Sequence, residues 1–166
     1  VIGTALMTLG LFLLSRVGVD THVATVSMMM LVLGLGLGMV MQVLVIAVQN
    51  AVDYANLGVA TSGATLFRLI GGSLGTAIFG MLFATGLSSN LTKAMPAGAD
   101  VASLAQGFGA QGLSQLSPAI RDIYLQAFTG SLTTVFLAAA AIALFAFILS
   151  LMLPETPLRR TIAAAE

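Results

Sequence analysis

The chain has 166 residues and is 58% hydrophobic but only 7% charged, with six Lys and Arg balancing six Asp and Glu. A soluble domain carries about 25% charged residues, so charges this sparse cannot cover a water-facing surface. Zero net charge gives no footing for nucleic acid, and the lack of cysteine excludes disulfides, thiolate metal sites and cysteine nucleophiles.

The charges divide the sequence into uncharged runs at 1–15, 21–52, 69–92 and 123–154. About 20 apolar residues cross the hydrocarbon core of a bilayer, so three of these runs are full-length spans. The fold class is therefore all-α, a polytopic transmembrane bundle of four spans with the first truncated. The uncharged run 1–15 of that first span, 1–16, reaches about 22 Å of a core roughly 30 Å thick. Its sequence, VIGTALMTLGLFLLSR, has no initiator methionine, no basic n-region and no small-residue cleavage site, which argues against a signal peptide. The expectation is a clipped span at the start of the C-terminal piece of a larger protein.

A short turn from Arg16 to His22 leads to the second span, 23–50, which contains LGLGLGMVMQVLVIAVQN. Glycine inside a helix costs about 1 kcal/mol relative to alanine. In lipid, however, helices associate through close packing of small residues, which gives glycine a purpose. Gly34 and Gly38 share a face that Gln42, Val45 and Gln49 continue at helical spacing, while Gly36 points elsewhere and widens the groove. An amide in hydrocarbon needs a partner, so Gln42 faces either another helix or a water-filled cavity. Gln42, Gln49 and Asn50 are the substrate-cavity candidates, the last two near the helix end where interfacial water also satisfies them. Met28 to Met30 read as lipid-facing or gap-filling. His22, the only histidine, reads as a solvated turn residue.

A polar connection at 51–65, holding Asp53, precedes the third span at 66–90. In RLIGGSLGTAIFG, Gly71 and Gly75 form one small-residue pair and Thr76 and Gly80 another, with Gly72 beside them. Leu69 to Asn90 supplies 22 residues, about 33 Å of helix, enough to span without Arg68. That arginine is expected at the interface, snorkelling or capping a neighbouring helix, with Gly72 and Gly75 on its face allowing close approach.

Residues 91–118 form a solvent-facing loop rich in Gly, Ala, Ser and Gln. The last span, 119–153, opens on Ser117 as N-cap with Pro118 at the first helical position, and stops at Pro154, Glu155 and Pro157. From Pro118 to Leu153 the helix measures about 54 Å, so it must tilt or project, placing Arg121 and Asp122 outside the core. Ala139, Ala143, Ala146 and Ser150 run along one side, with Phe136, Phe145 and Phe147 mostly away from it. Arg68, Arg159 and Arg160 on one side balance Arg16, Lys93 and Arg121 on the other, so positive charge does not orient the chain.

No enzyme, cofactor or metal reading emerges. One histidine in a turn has no serine elbow near it, and the membrane spans hold no paired acids. Gly34, Gly36 and Gly38 follow no strand, which rules out a phosphate-binding loop.

Two segments carry a family likeness: GLGLGMVMQVLVIAVQNAV at 34–52 and LGVATSGATLFRLIGGSLGTAIFG at 57–80. They resemble the C-terminal part of the major facilitator superfamily, in the 14-helix drug:proton antiporter subfamily of the EmrB/QacA type. In that family a glycine-rich span, a G-x-A-[ST]-[SG] element and an R-x-x-G-G-x-x-G-x-A helix start occur in this order. Many members carry proline where this sequence has Met41 and Gln42. The resemblance implies the last four of fourteen helices, a cytoplasmic 51–65 connection, an outward-facing 91–118 loop and a cytoplasmic 154–166 tail. It further implies a multi-pass protein of the bacterial plasma membrane that exports lipophilic, often cationic compounds against proton entry by alternating access. Its partners would be the lipid bilayer, protons, a small lipophilic substrate and the N-terminal helices of the same transporter, where the coupling carboxylates would lie. A self-contained four-helix scaffold, or an exporter of a metabolite or siderophore, is the alternative.

Overall fold

The computed structural model describes residues 1–95 and 117–152. Four α-helices account for nearly all of them: α1 (Ile2–Leu14), α2 (Val23–Ala51), α3 (Leu57–Ala94) and α4 (Pro118–Leu151), with one 3-10 turn at Tyr54–Asn56. Three of the helical stretches, Val23–Ala51, Tyr54–Ala94 and Pro118–Leu151, are long and apolar enough to cross a membrane. The molecule is thus an all-α membrane bundle. The 13 residues of α1 give about 20 Å, short of the roughly 30 Å core. Most of the expected 91–118 loop, and the 154–166 tail with Pro154, Glu155, Arg159 and Arg160, lie outside the described residues.

Helix α3 begins at Leu57 and so takes in residues that the sequence reading gave to the 51–65 connection. The segment LGVATSGAT is polar, but it has no proline and its hydroxyls fold back on the helix. Ser62 Oγ donates to the Gly58 carbonyl at 2.8 Å and Thr65 Oγ1 to the Thr61 carbonyl at 2.9 Å. Such bonds satisfy the side chain without competing for backbone donors. Non-helical backbone between α2 and α3 is therefore limited to Val52 and Asp53 and the 3-10 turn.

Helix α1 lies antiparallel on α2 through glycine. A Cβ added at Gly10 would fall 2.8 Å from the Leu33 backbone, one at Gly36 2.5 Å from Met7 N, and one at Gly3 3.0 Å from the Met39 and Val40 side chains. Partners in α2 thus descend as positions in α1 rise, and the backbones approach as closely as helices can. Gly3, Gly10 and Gly36 are all buried. In the turn after α1, the Arg16 guanidinium sits 5.1 Å from the centroid of the Phe12 ring, a cation–π contact, and the Gly18 N–H donates to Thr21 Oγ1 at 2.8 Å.

Helix α4 packs on α1 and on α3. Toward α1 it offers small residues, with Ala140 and Ala143 buried. Of the expected small stripe, Ala139 and Ser150 are half-buried and Ala146 is exposed, while Phe147 lines a groove with α1 residues Ala5, Thr8, Leu9 and Phe12. Toward α3 it offers rings. Leu87 and Leu91 of α3 pack with Tyr124 and Ala127 of α4 in a core bordered by Phe83, Phe128 and Met95. Phe128 meets Phe83 edge-on at 5.2 Å and stacks with Tyr124 at 6.0 Å. One polar link crosses this core: Asn90 Nδ2 donates to Ser131 Oγ at 3.1 Å, and that hydroxyl donates to the Ala127 carbonyl at 2.7 Å. Ser131 is 1% exposed.

Candidate functional site

The contacts run α2 to α1 to α4 to α3, which leaves α2 and α3 facing each other along a sparsely packed seam. In that seam lies a cleft of about 340 Å³. Met41, Leu44, Val45 and Val48 form the α2 wall, and Thr61, Ala64, Thr65 and Arg68 form the α3 wall. Both sets are spaced three and four residues apart, the interval that puts side chains on one helical face. The wall is aliphatic apart from two threonines and one arginine.

Arg68 reaches across the seam, its Nη1 donating to Met41 Sδ at 3.6 Å. A thioether is a weak acceptor, and a guanidinium has five N–H groups to place. No carboxylate lies within ion-pairing distance of Arg68 among the described residues, whose acids are Asp20, Asp53 and Asp122. Thr65, also on the wall, spends its hydroxyl proton on its own helix.

The sequence-based site residues fall elsewhere. Gln42 and Gln49 are exposed and Asn50 half-buried, and none of the three lines the cleft. The adjacent positions Met41 and Val48 line it instead, because a step of one residue turns a helix by about 100°. Gly36, expected to widen a groove, is the α2 glycine pressed against a neighbour, whereas Gly34 and Gly38 have nothing within 4 Å of an added Cβ. The same holds for Gly71, Gly72, Gly75 and Gly80 of α3. Thr76 is exposed and donates to the Gly72 carbonyl at 2.8 Å. His22 is exposed at the N-cap of α2 without bonding it through its side chain, and Asp53 precedes the 3-10 turn, its carbonyl accepting from Asn56 N at 2.9 Å.

Two features went unread in the sequence. The cleft wall was present as Thr61, Thr65 and Arg68 at i, i+4 and i+7, a helical signature hidden by assigning the first two to a loop. The Asn90 to Ser131 link joins residues in different helices, for which a single sequence carries no signal. Among the described residues, no three His, Cys, Asp or Glu come together as a metal site.

Two proteins, from two strains of Mycobacterium tuberculosis and each named an uncharacterized MFS-type transporter, are 41% identical to this chain over 158 residues. The match takes in 95% of the chain but 23% of each relative, so the chain spans about a quarter of the length of the curated relatives it matches. No protein-family model and no solved structure matches it.

Proposed function

We infer that this chain is a segment of a major facilitator superfamily transporter, and propose that the whole protein is a proton-coupled exporter of lipophilic compounds working by alternating access. The observation that carries the reading is the 41% identity to MFS-type transporters over nearly the full chain. The cleft between the loosely packed α2 and α3 is in keeping with it.

In this reading the segment supplies the last four helices of a 14-helix antiporter of the EmrB/QacA type. The connection between α2 and α3 and both ends of the segment are cytoplasmic, in a bacterial plasma membrane. The exposed faces holding Gly34, Gly38, Gly71, Gly72, Gly75 and Gly80 pack on helices of the same transporter outside this chain. Gln42 and Gln49 then line a second wall of the pathway, and the proton-coupling carboxylates are contributed from outside the segment, since α2 and α3 contain no acidic residue.

The test is dye efflux from everted membrane vesicles containing the full-length protein. Accumulation of a lipophilic dye should follow energisation and collapse on addition of a protonophore. Accumulation insensitive to the proton gradient would remove proton coupling, and no accumulation of any lipophilic dye would remove drug export.

A further inference from the structure

We propose that the seam between α2 and α3 is a binding site for a small amphiphilic organic anion, its acidic group paired with Arg68 and its apolar part lying on Met41, Val45 and Val48. As a statement about cargo, this rests on the transporter reading above; as a statement about binding, it can be measured without transport.

Four observations converge. Arg68 is the only charged residue between Asp53 and Lys93, so its presence in this apolar stretch is specific to its position. Met41, which it touches, precedes the end of α2 by about 15 Å of helix, and Arg68 itself follows the start of α3 by about 16 Å. Its side chain is exposed, so an incoming anion can reach the guanidinium.

The nearest partner it has is a thioether, and no described carboxylate lies within ion-pairing distance of it. Among the described residues the cleft therefore presents an exposed cation with no carboxylate partner beside an aliphatic wall, the complement of a molecule with an acidic head and an apolar body. A guanidinium fork can take a carboxylate, sulfonate or phosphate by two parallel bonds. Finally, the size fits: about 340 Å³ sits at the lower end of the roughly 300–1,000 Å³ of small-molecule sites. The sign of charge is opposite to the cationic cargo that the family resemblance implies, because a lone cation in an apolar wall repels another.

The experiment uses the full-length transporter in phosphatidylcholine nanodiscs, with empty discs subtracted. The probes are dansyl-undecanoic acid and its methyl ester, which differ in charge but little in shape. The acid should bind about tenfold more tightly than the ester. Arg68→Gln should bring the acid down to the level of the ester, and Arg68→Lys should keep most of the preference.

Equal binding of acid and ester by the unaltered protein overturns the proposal and needs no variant. So does an acid preference that survives Arg68→Gln in correctly assembled protein. Loss of acid binding when phosphatidylglycerol is added to the discs overturns it in favour of a lipid headgroup. Failure of proton-driven dye efflux would leave the acid-to-ester ratio standing, and failure of that ratio would leave the efflux reading standing.

Discussion

At Gly36 the smallest side chain does the most structural work in α2. A methyl group there would meet the Met7 backbone nitrogen at 2.5 Å, an atom that cannot rotate away, so α1 and α2 would have to separate. At Gly34, one residue pair earlier, the same methyl meets nothing within 4 Å and gains up to about 1 kcal/mol of helix propensity. Gly36→Ala should therefore destabilise the hairpin by about 1–3 kcal/mol, and Gly34→Ala should not. Titrating the chain from mild micelles into SDS while following helicity reads both, and equal behaviour of the two variants would contradict the assigned contact. The sequence suggests glycines as a packing surface, because in lipid close approach of small residues holds helices together. The sequence reading put Gly34 and Gly38 on the shared face and sent Gly36 elsewhere, whereas the close contact within this chain falls on Gly36. Gly34, Gly36 and Gly38 all lie within one apolar run, so hydrophobic pattern offers no inside or outside, as it does for a helix half in water.

The elements differ in how they hold one another. Helices α1 and α2 meet through backbone, whereas α3 and α4 meet through rings and one polar link. In lipid an interhelical hydrogen bond averages only about 0.6 kcal/mol, since the separated helices find other partners. Ser131 keeps its bond to Ala127 when Asn90 is replaced, so Asn90→Leu should cost about that much. Phe128→Ala loses an edge contact and a stacked contact and leaves a cavity, which should cost about 2 kcal/mol or more. The ordering is the prediction: by the same SDS titration, a costlier Asn90→Leu would mean that the polar link, not the rings, holds the pair. The start of α4 was legible at Ser117 and Pro118. That of α3 was not legible at Leu57, where hydroxyl groups that look like loop chemistry are absorbed by the helix's own carbonyls.

For the molecule as a whole, composition was sufficient to read a membrane bundle, because sparse charge and long apolar runs leave no other way to satisfy backbone groups. The order of helices around the bundle was not readable, since every span has small residues on some face. That order is what opens the seam between α2 and α3. The segment covers 23% of the length of its relatives, and the middle of α3 is exposed on almost every side. The isolated chain in proteoliposomes should therefore show no proton-driven dye efflux above empty liposomes, and full-rate efflux would show it to be a self-sufficient transporter.

The contact of Gly36 with Met7 bears on mechanics as well as stability. A joint too tight for one methyl group also resists sideways slip, so α1 and α2 behave as a single stiff beam. Compliance in this segment is then concentrated at the short elbow around Val52 and Asp53 and along the loose seam it controls. Because the contacts run from α2 through α1 and α4 back to α3, bending there widens the gap beside Arg68 only if the α1–α4 or the α3–α4 contact yields with it.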